Sequence, residues 1–291
     1  MFDQCLLQGH PSYAWHASAW HQNGLISQTT DIKNGYIDTI CRSRILRWER
    51  VFTRDACPPH FPPNLSHALV EIMEWVPGVW PTHPQAHGWK RMGQTKYHGV
   101  TNIADPSFIA QWSTHAKRHL RVFTASGAVI ETGSFEDIER GAFQSQVPPA
   151  MTRALLMIVK HRLMRNPADI DILVAKKDGE IIAGFVSGYD SHLKESMYIL
   201  GYFLPQHAKL QAMTGLVAAW MQRTRDLGGL RCNFGGMCGA YPSLWDPWLG
   251  LSQFKTHFNI QRFWLPPSFW KIRLSLPWFS KRKRAPSQSA Q

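Results

Sequence analysis

The stretch from Asp169 to Met237 leaves this chain few ways to fold. Ile170 to Lys176 is a run of apolar and β-branched residues and reads as a strand. Lys177-Asp178-Gly179-Glu180 then carries an Asp-Gly pair, the residues that accept positive φ in a tight hairpin turn, and Ile181 to Tyr189 is the partner strand. Ser196 to Leu204 supplies a third strand after a polar turn. Pro205 and Gln206 lead into a long helix, His207 to Leu227, with Leu210, Met213, Leu216, Val217, Trp220 and Met221 at helical spacing. Gly228-Gly229 ends it, and Leu230 to Phe234 is a strand that runs into Gly235-Gly236. A strand, a crossover helix and a further strand in one sheet run parallel, so the expected class is α/β with an open mixed sheet flanked by helices.

The preceding residues extend this pattern less firmly. Tyr13 to Trp20 reads as a short helix, and Tyr36 to Val51 as a hairpin pair of strands. Pro58 to Pro63 is a stiff connector, followed by Asn64 as N-cap of an expected helix, Leu65 to Trp75, with Leu65, Leu69, Ile72 and Met73 on one face. A second helix is expected from Asp105-Pro106 through Phe108, Trp112, Ala116, Leu120 and Phe123, with Asp105 as N-cap. Its other side carries Lys117, Arg118 and Arg121, which either complement the helix dipole or hold phosphate. Ala128 to Thr132 suggests a strand, Ser134 with Glu136 and Asp137 a helix start, and Pro149 to Met164 a helix with a core-facing stripe.

A chain of 291 residues, 44% hydrophobic, can bury a sizeable core, and 13 Trp with only 18% charged residues excludes global disorder. The net charge of +12 points to an anionic partner, whether nucleic acid, phosphorylated substrate or acidic membrane surface. Lys281, Arg282, Lys283 and Arg284 form a local run that reads as a solvated tail. The cysteines at 5, 41, 57, 232 and 238 contain no CxxC pair, which suggests reduced thiols rather than a disulfide framework or zinc site. His83 and His87 are four apart but sit among prolines, so a surface loop is the reading there. With no secretory leader and no spanning segment recognised, the expected location is cytoplasmic.

The ordered set of Ile170 to Gly188, Tyr198 to Phe203, Gly228-Gly229, Asn233-Phe234-Gly235-Gly236, Gly250, Phe254-Lys255 and Phe258 resembles the Fem-type peptidoglycan aminoacyltransferases and their relatives with the acetyltransferase (GNAT) fold. Pro106 to Glu131 looks like that family's basic helix and following strand, and coverage runs from about 105 to 264. The resemblance implies two GNAT-like subdomains, each a mixed central sheet flanked by helices. We place them at 1–130 and 131–270, with a basic tail at 271–291 preceded by aromatic residues. It further implies transfer of an amino acid from aminoacyl-tRNA to an amine of a peptidoglycan precursor, nucleotide- or lipid-linked, in cell-wall biogenesis, with no metal and no bound cofactor. Two departures stand out: Asn233 replaces the acidic residue common before the FGG, and no long charged heptad stretch corresponds to the helical arm some members insert.

Acyl transfer to an amine needs a neutral nucleophile, stabilisation of a tetrahedral oxyanion and a proton for the leaving group. Lys255 matches the family's FK lysine and is the candidate for stabilising negative charge; the alternative is a surface lysine between core Phe254 and Phe258. Phe234, Gly235, Gly236 and Phe254 are candidates for substrate binding, the backbone amides around Gly235 and Gly236 either shaping the donor channel or serving a tight turn alone, and Lys117, Arg118 and Arg121 are candidates for holding phosphate. CoA is the alternative donor, less favoured because Leu204 to Lys209 contains no glycine for a pyrophosphate turn. His207, Asp190 and Asp246 are candidate bases, while Cys232 and Cys238 read as inert packing. Phe263 to Phe279, aromatic residues beside Lys and Arg, suits peripheral contact with the inner face of a membrane or a strand packed back on the domain. The competing functions are an acyl-CoA N-acyltransferase on a small amine and a non-catalytic GNAT-shaped module that binds RNA or membrane.

Overall fold

The computed structural model describes residues 27–33, 36–42, 46–53, 70–77, 88–92, 96–145, 149–165, 167–191, 194–238, 249–265 and 268–274. They build two mixed sheets. The first contains β1 (Ser27–Lys33), β2 (Tyr36–Arg42), β3 (Leu46–Thr53), β4 (Val70–Pro77) and β5 (Lys90–Met92), and β13 (Ser268–Leu274) inserts between β4 and β5. Its neighbours are antiparallel except β3 and β4, which run parallel from Leu46↔Val70 to Thr53↔Pro77. The expected hairpin in 36–51 is β2 and β3.

The second sheet has the order β12-β6-β11-β10-β9-β8-β7. Its strands are β6 (Lys96–Asn102), β7 (Val129–Thr132), β8 (Ile170–Lys177), β9 (Glu180–Asp190), β10 (Glu195–Phe203), β11 (Arg231–Met237) and β12 (Gln261–Leu265). Only β10 and β11 are parallel, as the crossover helix between them requires. At the β8–β9 turn Asp178 and Gly179 have φ of 52° and 86°, the paired positive values that the Asp-Gly signal predicts. The chain returns to the first sheet directly after β12, so the sheets are not successive blocks of sequence.

Among the described residues five α-helices flank the second sheet: α1 (Thr114–Ala125), α2 (Phe135–Gln144), α3 (Pro149–Arg165), α4 (Ala212–Asp226) and α5 (Leu249–Thr256). Strand alternation divides the core between the two faces. Leu173 and Ala175 of β8 join Phe123 of α1, Leu216, Trp220 and Met221 of α4, and Phe234 and Phe258. Ile172 and Val174 of the same strand join Ile138 and Ala142 of α2, Leu156 and Val159 of α3, and Leu200. Trp220 is anchored in this interior because its indole Nε1–H donates to Ser196 Oγ at 2.7 Å. At α2 the expected start is a reciprocal capping box: Asp137 N donates to Ser134 Oγ at 3.2 Å and Ser134 N to Asp137 Oδ2 at 2.9 Å.

Three expected helices are corrected. Residues 70–75 of the expected helix Leu65 to Trp75 lie in strand β4, while 65–69 fall outside the described residues. The helix expected from Asp105 begins instead at Ser113, whose side chain accepts from Ala116 N; Asp105 accepts from Ser107 N at 2.7 Å, ahead of a short 3-10 turn, Phe108–Gln111, whose N-cap is Ser107. The long helix from His207 is split by Gln211 at φ 56°, leaving a 3-10 segment, Pro205–Leu210, before α4. The expected helix Tyr13 to Trp20, His83, His87, Asp246 and the tail beyond 274 lie outside the described residues.

Candidate active site

Strands β10 and β11 pair for only three residues, Glu195↔Arg231, Ser196↔Cys232 and Met197↔Asn233. β10 continues to Phe203 and β11 to Met237, so the two strands part beyond Met197 and Asn233. Each is irregular where they part. β10 shifts register against β9 between Tyr198 and Leu200, and β11 against β6 between Asn233 and Gly236. Such bulges bend a strand and increase its twist, which opens a gap between parallel neighbours.

The β11 bulge follows from its residues. Gly235 adopts φ +71°, a conformation that glycine takes without a Cβ penalty, and a Cβ there would meet nothing within 4 Å. Gly235 N donates to Asn233 Oδ1 at 2.8 Å, closing a side-chain turn over the bulge. The Gly236 carbonyl oxygen accepts from Lys255 Nζ at 2.7 Å.

Lys255 projects from α5, which is tied to the end of β11 because Cys238 N donates to Ser252 Oγ at 2.9 Å. Its side chain is 2% exposed, so the surface-lysine alternative does not hold. Nζ also lies 5.6 Å from the centroid of the Tyr198 ring on β10. One amine therefore reaches both strands at the point where they separate. Burial pulls its pKa from the ordinary lysine range down to about 7, because a low-dielectric setting disfavours the ammonium. The Tyr198 hydroxyl is pushed up by the same cause.

The other side of the bulge holds a buried polar group. Asn233, fully buried, donates from Nδ2 to Glu195 Oε1 at 2.9 Å and lies 3.5 Å from His98 Nδ1. Glu195 is 3% exposed, its Oε2 is 3.4 Å from Arg231 Nε, and desolvation raises its pKa despite the Asn233 hydrogen bond. Glu195 and His98 had no assigned role in the sequence reading. The available signal was a charged residue opening an otherwise apolar strand, and it becomes meaningful only when β10 is set beside Asn233.

The remaining candidates are dispersed. Phe234 is 1% exposed and points into the core, stacked on Phe258 at 5.4 Å and edge-on to Trp220 at 5.2 Å. Phe254 is half-buried and packs edge-on against Phe258 at 4.9 Å. Arg118 and Arg121 are exposed on α1, and Lys117 Nζ donates to the Ala110 carbonyl at 3.2 Å. The start of α1 meets the end of α5 through Ser113 N, which donates to the His257 carbonyl at 2.9 Å. His207 is half-buried in the 3-10 segment, and Asp190 pairs opposite Glu195. Burial raises the Cys232 thiol and keeps it protonated and inert, while Cys238 is 8% exposed. Among the described residues no group of three His, Cys, Asp or Glu side chains is arranged to hold a metal.

No protein-family model matches the chain. No curated protein matches it either. Similarity lies in solved structures. FemX superposes with a TM-score of 0.66 at 11% identity, covering 92% of each chain. The lysylphosphatidylglycerol synthetase of Bacillus licheniformis gives 0.55 at 12% identity over 95% of this chain and 92% of that one. The C-terminal domain of a putative lysylphosphatidylglycerol synthetase from Agrobacterium fabrum gives 0.55 at 13% identity over 92% and 89%. At these identities the likeness is one of fold: the chain shares the mixed α/β fold of FemX and of the two synthetase structures.

Proposed function

We propose that the protein is an acyltransferase that moves an aminoacyl group from aminoacyl-tRNA to an amine of a peptidoglycan precursor, at the opening between β10 and β11. The observation that carries this reading is the buried Lys255 amine, held between Tyr198 and Gly236 where the parallel strands part. An acyl group entering there meets a concentrated positive charge in a water-poor setting, which is where an oxyanion is most strongly stabilised. The acceptor's neutral amine attacks the ester carbon and a C–N bond forms. The carbonyl oxygen takes negative charge, stabilised by the Lys255 ammonium. The C–O bond to the ribose then breaks, and the proton lost by the amine returns, through solvent or Lys255, to the leaving oxygen. No metal enters this scheme.

The basic balance of the chain suits a polyanionic donor. An aminoacyl-tRNA also accords with the fold's likeness to FemX and to proteins named for making lysylphosphatidylglycerol. Peripheral contact with the inner face of a membrane belongs to the same proposal, since a lipid-linked acceptor would lie there. Among the described residues no helix is long and apolar enough to cross a bilayer.

The test is to incubate the protein with charged tRNA or acyl-CoA and with nucleotide- or lipid-linked peptidoglycan precursors, and to identify products by mass. An aminoacylated precursor formed from charged tRNA, and lost in Lys255→Ala, is the expected result. Transfer from acyl-CoA alone would replace the donor. Saturable RNA or liposome binding with no product from any pair would overturn catalysis in favour of a binding module.

A further inference from the structure

A line of hydrogen bonds joins the buried carboxylate of β10 to the buried amine of α5. Glu195 Oε1 accepts from Asn233 Nδ2 at 2.9 Å; Asn233 Oδ1 accepts from Gly235 N at 2.8 Å; the Gly236 carbonyl accepts from Lys255 Nζ at 2.7 Å. The middle of this line needs an amide. A side chain at 233 must accept from the bulge on one side and donate to a carboxylate on the other, and an Asn or Gln amide does both at every pH, whereas an imidazole would have to stay neutral and a carboxyl protonated. An Asp at 233 would still accept from Gly235 N but would face Glu195 with a second carboxylate at hydrogen-bond distance. The two would repel unless one stayed protonated. Asn233 is thus not a lost acid: the carboxyl group stands on the adjacent strand, and the amide connects it to the turn.

We propose that Glu195 and Asn233 are positioning residues that set where the Lys255 amine sits, by fixing the Asn233 amide orientation and through it the Gly235-Gly236 bulge. This deepens the acyltransferase reading of the same cleft and rests on Lys255 being its charged group. The carboxylate itself is held by its surroundings. Arg231 Nε lies 3.4 Å from Oε2, Asp190 pairs opposite on β9, and His98 approaches Asn233 from β6 at 3.5 Å. Among the described residues Oε2 is buried and accepts no hydrogen bond, so beside the Arg231 ion pair the contact that orients the carboxylate is the hydrogen bond from Asn233. The hydrogen bonds of these two residues run to each other and to the bulge. Their effect passes through two backbone groups of a bulge whose glycine sits in the left-handed region and is therefore free to change conformation when the tie is cut.

The experiment reads the titration of Lys255 in the free, full-length protein, by NMR of ¹³C-labelled lysine with the resonance assigned from Lys255→Met. Asn233→Asp is expected to move the midpoint up by about one unit or more, since both added negative charge and a loosened bulge favour the ammonium. The exchanged pair Glu195→Gln with Asn233→Asp restores one donor, one acceptor and one negative charge, and is expected to return the midpoint to the wild-type value. An unchanged midpoint in Asn233→Asp, or a folded double variant that fails to restore it, overturns the proposal. If Asn233→Asp alone does not fold, a folded double variant with the wild-type midpoint supports the proposal, and one that also fails to fold overturns it. Because no substrate is present, failure of every transfer assay leaves this result standing, and failure here leaves the transfer reading standing.

Discussion

The Nζ of Lys255 lies 2.7 Å from the carbonyl oxygen of Gly236, in a side chain only 2% exposed to solvent. That contact does not cancel the cost of burying an ammonium, and the pKa of about 7 expresses the deficit. Below pH 7 the amine is protonated in both folded and unfolded chains, and the folded state carries the full penalty of several kcal/mol, at about 1.4 kcal/mol per unit. Between pH 7 and the ordinary lysine range the unfolded chain binds the extra proton, so stability rises with pH. Lys255→Met is therefore expected to stabilise the protein by several kcal/mol more at pH 6 than at pH 10 in urea unfolding. Equal effects at the two pH values would show that the amine is not desolvated.

The same titration bears on the chemistry. If the ammonium is the form that stabilises the oxyanion, the fraction of active enzyme falls about tenfold per unit well above pH 7. Deprotonation of the acceptor amine works in the opposite sense, so kcat/KM is expected to be bell-shaped. Lys255→Arg, which stays charged throughout, should lower the rate and remove the alkaline limb. An alkaline limb that persists in that variant would assign it to another group.

Gly235 offers a test of backbone against space. A Cβ there meets nothing within 4 Å, yet φ is +71°. Gly235→Ala is expected to cost roughly 1–2 kcal/mol through the left-handed conformation alone, without a clash. Because the bulge sets the Gly236 carbonyl, transfer should fall by more than this loss of stability explains. Activity at the wild-type level in a destabilised Gly235→Ala protein would detach the bulge from catalysis.

The β8–β9 hairpin was legible because its signal is local: Asp178 and Gly179 supply both positive φ values within one turn. β4 was not, although Val70 to Val76 is rich in strand-forming residues. Leu65, Leu69, Ile72 and Met73 also fit a helix, and what makes 70–77 a strand is its pairing with β3 and with β13, the latter nearly two hundred residues later. In 105–125 two start signals compete, Asp105 and Ser113, and only the structure shows that the first serves a single 3-10 turn. For the site, Lys255 and the glycine pair were visible as sequence neighbours. Glu195 and Tyr198 were not, since their part depends on the register of β10 against β11.

The three cations of α1 separate by their geometry. Arg118 and Arg121 are exposed, whereas Lys117 is already tethered to the Ala110 carbonyl. The neighbouring His119 and His257 have lowered pKa values, each chiefly from desolvation, and so add little charge at neutral pH. If this face holds RNA phosphate, log-affinity against log-salt for tRNA should lose roughly 0.7–0.9 in slope for each contact removed. Arg118→Ala and Arg121→Ala are expected to show that loss singly and to add in combination, with Lys117→Ala the smallest of the three. An unchanged slope in the Arg118→Ala, Arg121→Ala double variant would remove α1 from donor binding and leave its cations to the helix dipole.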